Sequence, residues 1–74
     1  MEREIKNKQG FVENELCMTL QRADNSIDKV FYNYDEEKVL ETVIILYKNG
    51  YKIEIDVTCD SKIAIMLDVS KNLL

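Results

Sequence analysis

The chain has 74 residues, of which 46% are hydrophobic and 32% charged, and its formal net charge is −4 at pH 7. A chain this short forms one domain, and its acidic balance disfavours direct contact with nucleic acid. It has no His and two Cys, too few ligands for a four-ligand zinc site, and no apolar run long enough to span a membrane.

The sequence carries no motif that binds a cofactor or activates a nucleophile. Its two glycines, Gly10 and Gly50, lie too far apart for a phosphate-binding loop. Cys17 has no histidine to act as its base. The N-terminus lacks the apolar core of a signal peptide. We therefore expect a cytoplasmic protein with two reduced thiols, no cofactor and no catalytic activity.

The first thirteen residues are mostly polar, and Ile5, Phe11 and Val12 are their only large apolar side chains. Such a segment has little to bury, so we predict a flexible N-terminal arm over residues 1–13. A short helix that docks on the domain is the alternative. The remaining residues, 14–74, are predicted to form a single α+β domain.

Two strands are predicted before the middle of the chain. Polar and apolar residues alternate from Glu15 to Arg22, which indicates a strand, although this composition also suits a helix. Residues 23–26 have the Asp, Asn and Ser typical of a turn. The β-branched and aromatic residues from Ile27 to Tyr34 predict the second strand.

The clearest local signal is Asn49-Gly50, which lies between two runs rich in β-branched and aromatic residues. Asn-Gly favours a two-residue type I′ turn, which joins two strands in a hairpin. That turn places Leu46 opposite Ile53, so that the apolar residues of both strands share one face. A helix over residues 36–49 is the alternative, because the apolar residues of this stretch also recur at helical spacing.

Asp60 and Ser61 are good N-cap residues, and the apolar residues after them predict a C-terminal helix. Its apolar arc spans about 200°, far more than the roughly 100° stripe that a surface helix needs, so one sheet face will not cover it. The predicted fold is a small antiparallel β-meander of about four strands. The hairpin at Asn49-Gly50 is central, and the helix packs on one face.

One face of this predicted sheet carries apolar and aromatic residues with no helix to cover them. They are Val30, Tyr32, Tyr34, Val43, Ile45 and Tyr47. An exposed patch of this kind usually marks an interface, where aromatic residues are favoured. We therefore predict a homodimer interface on this face. Folding of the N-terminal arm over the same face is the competing way to cover it.

The sequence predicts a small non-catalytic protein–protein interaction module that self-associates. Its Lys, Ile, Asn and Tyr content is associated with AT-rich bacterial and phage genomes. As a first alternative, the acidic turn at residues 35–37 suggests a phosphate mimic that inhibits a host or competitor nucleic-acid enzyme. As a second, Glu54 and Asp56, about 7 Å apart on one strand face, suggest a metal site or a small enzyme.

Overall fold

A computed structural model describes residues 2–73 and places a helical N-terminal segment before an antiparallel sheet and a C-terminal helix. In chain order the elements are α1 (Glu2–Gly10), a π-helical segment (Phe11–Leu16), α2 (Cys17–Ala23), β1 (Ile27–Asp35), β2 (Leu40–Tyr47), β3 (Lys52–Asp56) and α3 (Lys62–Leu73). The strands form a meander in the order β1-β2-β3. The α+β class is confirmed, but the described residues form three strands instead of four.

The segments α1, π-helix and α2 form one continuous helix, because the residues at both junctions keep right-handed helical backbone angles. Val12, Leu16 and Leu20 follow at intervals of four and are buried. In an α-helix this spacing drifts around the axis, and the wider turn of the π-helical segment offsets the drift. One apolar stripe therefore faces the sheet along the length of the N-terminal helix.

This helix corrects the sequence-based picture of the N-terminal third. The alternation between Glu15 and Arg22 does not form a strand, because these residues are mostly good helix formers and the buried ones recur every four positions. Residues 2–13, which we expected to form an arm, are helical in the structure, and Val12 is completely buried. The docked helix named as the alternative is what the structure shows.

The β2–β3 hairpin is confirmed, but its turn has three residues instead of two. The Tyr47 N–H donates to the Tyr51 carbonyl (2.8 Å), and the Gly50 N–H donates to the Tyr47 carbonyl (3.0 Å). Gly50 has a φ of 90°, the left-handed conformation that closes a three-residue loop. The helical alternative for residues 36–49 is wrong, because β2 pairs with both neighbouring strands.

The longer turn shifts the β2–β3 pairing by one residue from the predicted register. Val43 lies opposite Ile55, and Ile45 lies opposite Ile53. Because side chains alternate along a strand, a shift of one residue exchanges the two faces of β3. Ile53 and Ile55 therefore lie on the same face as Val43 and Ile45, and the charged residues of β3 lie on the other.

The N-terminal helix and α3 pack on the same face of the sheet, which we call the covered face. A single hydrophobic core lies between the helices and this face. The buried core residues are Val12, Leu16, Leu20, Ile27, Val30, Tyr32, Val43, Ile45, Ile55, Val57, Ile65 and Val69. The N-terminal helix lies along β1 and α3 lies along β3. The predicted placement of α3 on the opposite face is therefore not confirmed. No helix within residues 2–73 has the length and apolar content to cross a membrane.

We predict that Gly50→Ala destabilises the fold by about 1–2 kcal/mol, because alanine is strained at positive φ. Gly10 is the matched control: it has helical backbone angles and open space where a Cβ would stand. Gly10→Ala should stabilise the protein by about 0.5–1 kcal/mol. Urea unfolding measures both changes, and a Gly50→Ala variant as stable as the wild type would contradict the assigned turn.

Candidate functional site

A buried carboxylate connects three parts of the fold. Glu41 of β2 points to the covered face and is 7% exposed. Its Oε1 accepts hydrogen bonds from the Lys8 Nζ of α1 (2.8 Å) and from the Tyr32 hydroxyl of β1. Its Oε2 accepts the backbone N–H of Cys59 (2.8 Å), in the loop before α3. Both oxygens are thus satisfied, as a buried carboxylate requires.

The charge state of this centre follows from the same contacts. Burial alone would raise the pKa of Glu41, but the hydrogen bonds from Lys8, Tyr32 and Cys59 outweigh it and lower that pKa. Glu41 is therefore ionised at neutral pH. Burial, together with the hydrogen bond to Glu41, raises the pKa of Tyr32, so the hydroxyl keeps the proton that it donates. These charge-assisted hydrogen bonds hold α1, β1 and the loop before α3 in fixed positions around Glu41.

Beside Glu41, an open cleft of about 310 Å³ lies between α1, the β1–β2 turn and the loop before α3. Its lining residues are Glu4, Ile5, Lys8, Tyr34, Val39, Glu41, Cys59, Asp60 and Ser61. Val39 and Cys59 have φ angles of 51° and 65°, which non-glycine residues rarely adopt outside turns and functional sites. Within residues 2–73, no three acidic or cysteine side chains are grouped so as to hold a metal ion.

Asp60, one of the residues that line the cleft, has an unusual carboxyl group. Its Oδ2 is buried and has no hydrogen-bond partner in the described part of the chain. Protonated Asp60 can donate a hydrogen bond to the Asp68 carboxylate of α3, and this interaction, together with burial, raises the pKa of Asp60 to about 6. The next residue, Ser61, caps α3, because its Oγ accepts the Ala64 N–H (3.2 Å). A group that titrates near neutral pH therefore lies at the start of α3.

The structure places the six predicted interface residues on the covered face. Val30, Tyr32, Val43 and Ile45 are buried in the core, and Tyr34 and Tyr47 pack against it. The exposure that we expected for this face is absent, because helices of the same chain cover it. Ile5 and Phe11 of the N-terminal segment are partly buried against this core, as the competing explanation required.

The opposite face of the sheet, which we call the open face, is covered by neither helix. From one end to the other its cross-strand rows are Lys29–Leu46–Lys52, Phe31–Ile44–Glu54, Asn33–Thr42–Asp56 and Asp35–Leu40. Phe31 is 39% exposed and Leu40 37%. An apolar strip along β2, extended by Phe31, thus lies between charged residues on the edge strands.

A second apolar surface lies on the outer side of α3. Ile63 is 73% exposed and Leu67 is 65% exposed, and Met66 lies between them. The buried residues of α3 are Ile65 and Val69. This confirms the prediction that the apolar arc of the helix is wider than one sheet face can cover.

The acidic pair Glu54 and Asp56 lies exposed on the open face. The Asp56 Oδ1 accepts hydrogen bonds from the Thr58 hydroxyl (2.6 Å) and N–H (2.9 Å), and these bonds lower the pKa of Asp56. One of its oxygens is thus engaged in closing the end of β3, which leaves fewer ligands for a cation. The cysteines, Cys17 and Cys59, are free thiols.

We predict that Glu41→Ala destabilises the protein by about 3 kcal/mol, because the Lys8 ammonium and the Tyr32 hydroxyl lose their buried acceptor. Glu4, exposed on α1, supplies the control, and Glu4→Ala should change stability by no more than about 0.5 kcal/mol. Urea unfolding at neutral pH measures both losses. Similar losses for the two variants would show that Glu41 does not hold the elements together.

We predict that Asp60→Asn stabilises the protein by about 1–2 kcal/mol at pH 8 and has little effect at pH 4. The folded-state pKa of about 6 lies above the unfolded value of about 3.9, so wild-type stability falls as the pH rises between them. Asparagine does not titrate and can donate to Asp68 at any pH. Glu54→Gln is the control, and a gain that is equal at pH 4 and pH 8 would contradict the assignment.

Comparison with known proteins found no family model, no curated protein and no solved structure that matches the chain.

Proposed function

We propose that the protein is a small non-catalytic protein–protein interaction module that self-associates through the open face of its sheet. The observation that carries the proposal is the apolar strip of this face. At its four open-face positions β2 has Leu40, Thr42, Ile44 and Leu46, whereas a solvated face of an antiparallel sheet normally shows polar residues. Phe31 of β1 widens the strip opposite Ile44. Apolar surface of this kind favours contact with another protein.

Both edge strands of the sheet disfavour the addition of another strand, which favours contact through the open face. Along β1, the Glu13 carboxylate accepts the Tyr32 N–H (3.2 Å), and the Gln21 side chain donates to the Asp28 carbonyl (2.6 Å). These side chains occupy backbone groups that an added strand would need. The five residues of β3 include Lys52, Glu54 and Asp56, and charged residues disfavour strand addition at an edge. Extension of the sheet is therefore disfavoured at both edges.

The partner that this face suits is a second copy of the chain. The open face carries both signs of charge, with lysines in its first row and carboxylates in the others. A surface with both signs can be complementary to itself, as a two-fold interface requires. A partner with a surface of one charge sign would meet repulsion at one end of the face.

The contacts of the polar groups on the covered face indicate that these groups have a structural role. Glu41 is bonded to donors from three elements, and its carboxylate and the Lys8 ammonium neutralise each other. Neither group is then free to transfer protons to a substrate in the cleft. These structural contacts favour a rigid binding module over an enzyme.

Sedimentation equilibrium of wild type, Phe31→Glu and Leu67→Glu tests the proposal. We expect wild type to dimerise with a Kd of about 10–100 µM, which suits a small interface. Phe31→Glu should raise that Kd at least about tenfold, because it places a charge within the apolar strip. Leu67→Glu makes a similar change on the exposed side of α3 and should leave the Kd unchanged.

Two results would overturn the proposal. A wild-type protein that stays monomeric at several hundred micromolar would show that the open face does not self-associate. A dimer that Leu67→Glu breaks and Phe31→Glu leaves intact would move the contact to α3. Circular dichroism of each variant separates lost association from lost folding.

A further inference from the structure

We infer that two copies stack their open faces about a two-fold axis that runs across the strands, so that β2 of one copy lies antiparallel to β2 of the other. This inference rests on the proposed function and adds the orientation of the two copies. It follows from the distribution of charge along the strands, which distinguishes one face-to-face arrangement from the other.

The charges of the open face are separated along the strands. Lys29 and Lys52 flank Leu46 at the end near the β2–β3 turn. Asp35 and Asp56 lie near the opposite end. Within residues 2–73 there is one salt bridge, and it lies on the covered face. The two ends of the open face thus carry opposite charges that are not paired inside the chain.

Two arrangements keep the strands aligned in a face-to-face dimer. An axis along the strands would lay β1 of one copy on β3 of the other and would bring Lys29 against Lys52 of the second copy. A two-fold axis across the strands places each strand over the same strand of the other copy, and the two run in opposite directions. Lys29 of each copy then lies over Asp35 of the other, and Lys52 lies one row from Asp56 of the other. Glu54 lies over Asp56, but no lysine faces a lysine. Coulomb energy therefore favours the axis across the strands.

The apolar residues suit the same arrangement. Phe31 and Ile44 share the second row and lie beside the axis, so they pack over Asn33 and Thr42 of the other copy and near their own counterparts. Leu46 and Leu40 lie at opposite ends of the strip, and reversal of the strands brings Leu46 of one copy onto Leu40 of the other. Two-fold symmetry repeats that contact at the other end.

Local hydrogen bonds hold the two aspartates in position before a partner arrives. The Asp35 Oδ1 accepts the N–H groups of Glu37 (3.1 Å) and Lys38 (3.3 Å). The Asp56 Oδ1 accepts two hydrogen bonds from Thr58. Charges that are already fixed lose less conformational entropy when a complex forms.

The expected dimer is weak and sensitive to salt. Three strands about 4.8 Å apart and about 20 Å long present roughly 300 Å² on a face, which places the contact in the small, transient class of interfaces. Its charge pairs lie at the rim, where salt screens them. The Kd should therefore rise several-fold between low salt and about 0.5 M NaCl.

Disulfide trapping tests the orientation. Cys17→Ala and Cys59→Ser first remove the native thiols, and Leu40→Cys and Leu46→Cys are then introduced into separate chains. Under oxidation, we expect a mixture of the two chains to form a covalent dimer and each chain alone to stay uncrosslinked. Leu67→Cys, on the outer side of α3, is the control and should crosslink with neither.

Failure of the inferred orientation can be distinguished from failure of the proposed function. If Leu46→Cys crosslinks with itself, the axis runs along the strands, and the orientation is overturned while self-association stands. If sedimentation shows a dimer but no pair crosslinks, the copies do not stack their open faces, and the inference is again overturned. If wild type is monomeric, the proposed function and the inference fail together.

Discussion

The three-residue turn at 48–50 is the constraint on which the rest of the structure depends. It sets which side chains of β3 share a face with those of β2, because pairing in a sheet changes face with every residue. With three residues, Ile53 and Ile55 face the helices, and Lys52 and Glu54 face outward. With two residues, the charged side chains of β3 would lie under α3, where burial without partners is costly. The core, the docking of α3 and the charges of the open face all follow from this one choice.

The covered face contains one ionised residue, and its partners explain how the N-terminal helix is seated. Glu41 occupies a position in β2 whose neighbours on the same face are apolar. Lys8 is 33 residues away in the chain and reaches it only when α1 packs on the covered face beside β1. A buried pair of this kind contributes less to net stability than to the choice of one arrangement over others. Its role here is to select the position of the helix.

The sequence was sufficient to predict β1, the β2–β3 hairpin and α3, because each has a local pattern or cap. It also placed the six apolar residues of β1 and β2 on one face, since alternation within each strand determines that. The N-terminal helix was missed because Leu16, Met18 and Leu20 satisfy both a period of two and, in part, a helical spacing. The turn length was missed because Asn-Gly suits both two- and three-residue loops. The contact between Lys8 and Glu41 has no local signal at all.

The π-helical segment at 11–16 also bears on how the chain tolerates changes in length. A π-helical turn holds about one residue more than an α-helical turn, so this segment can be regarded as a helix that has absorbed an insertion. The sides of α1 and α2 that face the sheet are unaffected, since Lys8 still reaches Glu41 and Leu20 still reaches the core. Loss of one residue inside the segment would return it to α-helix with both contacts intact. Loss of a second residue between Lys8 and Leu20 would find no wide turn left to absorb it, would rotate the start of the helix by about 100°, and would separate Lys8 from Glu41.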